Sequence, residues 1–210
     1  KFKKNFKIGN TYITTKRIFI IAEMACAHGG HFNKAKKIVD AAISAKADAI
    51  QFEIFDPDTC CIPGTAENLE LHQANFDMKE WKFLLNYAKK KKILRSVFAY
   101  DLNSLNFAIQ QKVEMIKFNS SDLLNIEMLD KISKTNIPLS LGTGSSTIEE
   151  INSALNFIYK RNKKEKIILM HGVQNFPTSP KNERANKLDD LKKKFNCHIG
   201  YANHTAGENR

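Results

Sequence analysis

The residues able to do chemistry fall at or just past the ends of short apolar runs. His171 closes Leu169-Met170-His171-Gly172, and His204 follows Gly200-Tyr201-Ala202-Asn203. Imidazole binds zinc, copper, iron and manganese, and two protein ligands leave positions open for water and substrate. The alternative is a pair of hydrogen-bonded histidines near a sheet edge. Lys117 lies inside Ile116-Lys117-Phe118-Asn119-Ser120-Ser121-Asp122. A lysine in a buried strand pattern requires an anion, because an unpaired buried charge is costly. That anion is either a carboxylate of the protein or a ligand phosphate or carboxylate held with Ser96, Ser120 and Thr143-Gly144. Glu23 and Asp122 are carboxylates that can activate water or stabilise a developing cation. Glu23 can alternatively pair with Lys117. Gln51, Glu53 and Asn203 add polar groups at further strand ends.

The elements that must position these groups alternate along the chain. Gly9-Asn10, flanked by extended-type residues over 6–13, predicts a small hairpin. Residues 18–23 form a β-branched apolar run, the pattern of a strand buried on both faces. Further strands are expected over 48–53, 93–98, 113–118, 137–141, 166–170 and 197–201. Helical spacing follows Asn33 as a cap, with Ala35, Ile38, Val39, Ala42 and Ala45 on one face. Helices are also expected over 79–90, 103–111, 123–134, 147–159 and 183–195, with Thr147 and Glu150 forming a capping box. The stretch 54–78, with Pro57, Pro63 and Gly64, reads as loop.

Strands alternating with helices predict a parallel sheet in an α/β protein. Neither GxGxxG nor a P-loop follows the first strand, where the chain reads Ala25-Cys26-Ala27-His28-Gly29-Gly30. An open doubly wound sheet would spread the polar strand ends along a line, whereas a closed barrel gathers them at one mouth. The expectation is therefore a (β/α)8 TIM barrel over 18–210 lacking its last βα unit, preceded by an N-terminal hairpin domain over 1–17.

Composition narrows the function classes. A chain of 210 residues with 42% hydrophobic and 26% charged residues fits a globular domain. Its formal net charge of +11 favours anionic partners. The basic runs over 89–92 and 160–166 lie at helix ends without interleaved aromatics, which argues against nucleic-acid binding. No apolar run approaches the roughly 20 residues of a membrane span, and no secretory signal pattern opens the chain. The four cysteines, Cys26, Cys60, Cys61 and Cys197, lack zinc-site spacing and are expected as reduced thiols of a cytoplasmic protein.

The order of several fragments resembles the sialic acid synthase family, which makes N-acetylneuraminate and related nonulosonates. These fragments are Ile21-Ala22-Glu23-Met24, His28-Gly29-Gly30, Ala47-Asp48-Ala49-Ile50-Gln51-Phe52-Glu53, Ile116-Lys117-Phe118-Asn119-Ser120 and Leu141-Gly142-Thr143-Gly144. They continue with Leu169-Met170-His171-Gly172, Phe176-Pro177-Thr178-Ser179-Pro180 and Gly200-Tyr201-Ala202-Asn203-His204-Thr205. The resemblance implies a barrel followed by a small antifreeze-like domain, a homodimer, and condensation of phosphoenolpyruvate with an open-chain N-acyl amino sugar. It implies a divalent metal on His171 and His204, manganese in the first instance, with magnesium or cobalt as alternatives. Lys117, Ser120 and Ser96 match positions that hold phosphoenolpyruvate, and Glu23 and Asp122 match acidic catalytic positions. Gln51, Glu53, Thr143 and Asn203 are expected to contact substrate.

The chain departs from the family pattern at defined places. Gln51 and Glu53 stand where the family often has Lys and Gln, and Gly142 where a Ser is common. Ala27 replaces an Asn, Ala202-Asn203 a Ser-Asp, and Phe176 the Tyr of a Tyr-Pro pair. A shifted substrate is the expected consequence. The alternatives are another TIM-barrel aldolase or isomerase, or a non-catalytic relative that binds anionic carbohydrate.

Overall fold

A computed structural model describes residues 5–14 and 16–206. Two strands, β1 (Phe6–Ile8) and β2 (Thr11–Ile13), form the expected hairpin. Gly9 sits at its tip with φ +56°, a conformation glycine adopts without strain. Phe6, Ile8 and Ile13 turn inward and are buried. Of the predicted hairpin domain, residues 1–4 and 15 lie outside the described residues, as do 207–210 of the predicted barrel domain.

The rest of the chain divides into two compact units, one within 7–116 and one composed mainly of 117–206. In the first, the strands are β3 (Ile21–Glu23), β4 (Ala49–Ile54) and β5 (Leu94–Ala99), followed by the opening residues of β6 (Met115–Phe118). They order as β3-β4-β5-β6. The β3–β4 and β4–β5 ladders are parallel, with Glu23 opposite Gln51 and Gln51 opposite Ser96. Five of the six residues of β4 are buried, as a strand covered on both faces requires. Helices α1 (Phe32–Ser44) and α4 (Met78–Lys90) present Ala35, Val39 and Ala42, and Trp81, Leu84, Leu85 and Ala88, to the core. Helix α5 (Leu102–Gln110) buries Leu105 and Ala108 and is capped by the Asp101 carboxylate. Arg95, 2% exposed, is matched by the Glu114 carboxylate and the carbonyls of Gln111 and Lys112.

Several expectations for this unit are corrected. The first strand begins at Ile21 rather than 18. Ile18 and Ile20 are exposed, and the Asp48 carboxylate accepts the Ile20 N–H at 2.8 Å and pairs with Arg17. Helix α1 starts two residues early, with His31 rather than Asn33 at the N-cap and Asn33 inside the first turn. The stretch over 54–78 is not all loop, because it holds α2 (Pro57–Cys60) and α3 (Ala66–Ala74). Pro57 opens α2, where its missing N–H costs nothing, behind the capping carboxylate of Asp56. Thr65 caps α3 in the same way.

In the second unit the strand order is β6-β7-β8-β9, with β7 (Leu139–Gly142), β8 (Ile167–His171) and β9 (His198–Tyr201). Here too the ladders are parallel, pairing Leu141 with Leu169 and His171 with Tyr201. Helices α6 (Ile126–Ser133) and α7 (Ile148–Asn162) bury Met128, Leu129 and Ile132, and Ile151, Ala154, Leu155 and Ile158. Thr147 and Glu150 make the capping box read from the sequence. Two predicted helices are shorter than expected. Helix α6 starts only after Asn125, whose side chain caps it at Met128 N–H. The helix expected over 183–195 is confined to α8 (Lys187–Lys194), and a separate 3-10 turn (Pro180–Asn182) precedes the predicted start. Among the described residues, no helix is long and apolar enough to cross a membrane. All four cysteines are free thiols.

Candidate functional site

In the second unit the ends of β6, β7, β8 and β9 follow one another in sheet order. Lys117, 9% exposed, lies in β6, and Ser120 follows in the turn after it. A Cβ placed on Gly142 at the end of β7 would come 2.7 Å from the Ser120 nitrogen and 3.2 Å from the Phe118 carbonyl oxygen. Only glycine lets β7 approach β6 so closely. That accounts for Gly142 at a position where serine is common. Thr143 then ties β7 to β8, its N–H and hydroxyl both donating to the Met170 carbonyl at 2.9 and 3.1 Å. His171 closes β8, and its own carbonyl accepts the Ala202 N–H at 2.7 Å.

The two histidines are held alike. His171 Nε2 lies 3.3 Å from the Glu183 carbonyl oxygen, and His204 Nδ1 lies 2.6 Å from that of Val173. A carbonyl can only accept, so each of these ring nitrogens carries the proton, and in neutral imidazole the other bears a lone pair. Metal-binding histidines are typically anchored in this way. The donor chemistry therefore fits a divalent ion. Among the described residues, no group of three or more His, Cys, Asp or Glu side chains converges on such a position.

Two predicted residues in this unit serve local structure. The Asn203 side-chain oxygen accepts from the Thr205 N–H and hydroxyl at 2.9 and 2.7 Å, closing a turn just before His204. The Asp122 carboxylate accepts from the Asn125 amide at 3.1 Å. Burial raises the Asp122 carboxyl above the usual aspartate range, against the lowering effect of hydrogen bonds from Asn125 and Ser121.

The first unit carries its own polar chain. The Gln51 amide donates to Glu23 Oε1 at 2.7 Å, and the Ser96 hydroxyl donates to Gln51 Oε1 at 3.4 Å. Gln51 and Ser96 are the third residues of their strands, one layer below the ends where the sequence pattern placed them. At the ends themselves, the Tyr100 hydroxyl donates to Glu53 Oε2 at 3.3 Å. Burial and the neighbouring Glu53 carboxylate push the Tyr100 hydroxyl pKa up, so it stays a donor. Burial, then Glu53, also raises the Cys26 thiol. Tyr100 escaped the sequence reading, and Cys26 was read there only as a reduced thiol. A hydroxyl-bearing aromatic directly after a strand would have flagged Tyr100.

Over residues 38–209 the chain matches the family described as the NeuB family. It is 30% identical over 207 residues to the N,N'-diacetyllegionaminic acid synthase of Campylobacter jejuni, covering 91% of this chain and 62% of that protein. It is 27% identical to the enzyme of the same name from Legionella pneumophila, covering 90% of this chain and 58% of that one. The crystal structure of N-acetylneuraminic acid synthetase from Leptospira borgpetersenii in complex with citrate superposes with a TM-score of 0.91 at 30% identity. It matches 97% of this chain and 71% of that one. The chain thus spans about 60% of the length of the curated relatives it matches.

Proposed function

This chain belongs to the NeuB family, and from that premise we propose that the whole protein condenses phosphoenolpyruvate with an open-chain N-acyl amino sugar. The products are a nonulosonic acid and inorganic phosphate. The observation that carries this reading is the pair His171 and His204, each anchored to a backbone carbonyl through one ring nitrogen. These residues would hold a divalent ion, manganese in the first instance, with magnesium or cobalt as the other candidates. When bound, such an ion supplies Lewis acidity to a sugar aldehyde.

The residues of the chain supply the remainder. Lys117, buried in β6, would provide a cation for the phosphate or carboxylate of phosphoenolpyruvate, with the Ser120 hydroxyl as a donor and Thr143, whose hydroxyl donates to the Met170 carbonyl, as a further contact. Asp122 keeps its proton to higher pH than an exposed aspartate, which suits proton transfer. Glu23, already an acceptor for the Gln51 amide, is suited to stabilise positive charge or orient the attacking water. Gln51, Ser96, Glu53 and Asn203 complete the proposed substrate contacts. Gln51 and Glu53 make the first unit poorer in cations than the family pattern, which points to an altered sugar. The full protein on this reading closes a (β/α)8 barrel, adds a small second domain and works as a cytoplasmic homodimer.

The test supplies manganese, phosphoenolpyruvate and a panel of N-acyl hexosamines to the full-length protein and follows phosphate release. Release that depends on both substrates and on the metal is the expected result. No release with any acyl-amino sugar, under conditions where a known synthase turns over, would overturn the reading.

A further inference from the structure

Phe176 is 70% exposed, yet its ring lies 4.1 Å from that of His204, centroid to centroid, at 43°. Burial therefore does not explain where this side chain sits. The same short loop holds His204 at two further points. The Val173 carbonyl accepts from Nδ1 at 2.6 Å, and the Thr178 N–H donates to the His204 carbonyl at 2.8 Å. Thr178, buried, also bridges Thr205 in parallel register. The loop over 173–178 thus holds the histidine through a ring nitrogen, a tilted ring contact and the backbone.

We propose that Phe176 is a positioning residue that holds the His204 imidazole in its Nδ1-protonated form with Nε2 presented as the ligand atom. The inference rests on the metal reading above for its consequence, but the ring orientation it describes belongs to the metal-free protein. An imidazole hydrogen-bonded at one nitrogen still swings about its Cβ–Cγ bond, and a ring packed on its face removes that freedom. The contact needs an aromatic plane, so Tyr serves where Leu does not. Loss of such supporting contacts typically weakens a metal site by tenfold or more.

The experiment compares wild type with Phe176→Leu and Phe176→Tyr in the full-length protein, with two readouts. Manganese titration by calorimetry should show roughly tenfold weaker binding for Phe176→Leu and near wild-type binding for Phe176→Tyr. Nitrogen-15 NMR of the metal-free protein should show a single Nδ1-protonated tautomer at His204 in wild type and Phe176→Tyr, and a tautomer mixture in Phe176→Leu. Equal manganese affinity and an unchanged tautomer in Phe176→Leu would overturn the inference. If wild type binds no manganese, the metal reading fails, and the tautomer comparison alone decides: a mixture confined to Phe176→Leu sustains the positioning role, and no difference removes it.

Discussion

The amide of Gln51 donates to the carboxylate of Glu23 at 2.7 Å across the first parallel ladder of the sheet. A cation at position 51 would form an ion pair with Glu23 or face a bound anion. The neutral amide instead bridges two neighbours, giving a hydrogen to Glu23 and taking one from Ser96. Gln51→Leu would keep the volume and break both bonds. Gln51 is 1% exposed, so unpaired polar groups remain behind, and the expected loss is about 1–3 kcal/mol. Urea denaturation checks this, and an unchanged midpoint would show that the bridge has no structural weight.

Gly142→Ser restores the residue common in the family. Its Cβ would fall 2.7 Å from the Ser120 nitrogen and 3.1 Å from the Asn119 carbonyl carbon, both backbone atoms that cannot rotate away. Overpacking of this kind costs about 1–3 kcal/mol. The variant should melt earlier, and Ser120 should move. Phosphoenolpyruvate should then protect it against heating less than it protects wild type.

Lys164 is buried, its ammonium donating to the carbonyls of Thr135, at 3.0 Å, and Ile137. Burial, then the neighbouring Lys166, pushes its pKa down to about 7, against an ordinary lysine value of about 10.4 in the unfolded chain. Between these values the unfolded chain binds more protons than the folded one, so the contribution of this group to stability rises with pH. Below about pH 7 both states are protonated and the slope vanishes. Stability measured for wild type relative to Lys164→Met should therefore climb by on the order of a few kcal/mol from pH 7 to pH 10 and stay level below pH 7. Parallel curves across the whole range would refute the shift.

His171→Ala and His204→Ala should each weaken manganese binding by about tenfold or more without unfolding the protein. Elemental analysis after equilibrium dialysis reads the stoichiometry, and circular dichroism confirms the fold. Wild-type stoichiometry in either variant would remove that histidine from the ligand set.

Much of the architecture was legible because its causes are local. The β-branched runs around Ile50, Val97, Ile116 and Ile168, separated by amphipathic helices, can only bury themselves in parallel ladders. The Thr147–Glu150 capping box and the Gly9-Asn10 turn were written in residue type alone. The helices over 57–60 and 66–74 were missed because prolines at a helix start and in a connecting loop look alike until the capping carboxylate or hydroxyl is seen in place.

For the candidate site, residue type and order by themselves determined that His171, His204, Lys117 and Glu23 lie in or just past strands of an α/β chain, and they pointed to the family. Only the tertiary structure decided how each side chain is engaged. It turned Asn203 to its own turn, set Gln51 and Ser96 one layer below the strand ends, brought Tyr100 onto Glu53 and set the Phe176 ring, tilted, against that of His204. The physical reason is that strand periodicity tells which residues share a face. The partner of a given nitrogen or oxygen depends instead on register, loop path and the close backbone approach that a glycine such as Gly142 permits.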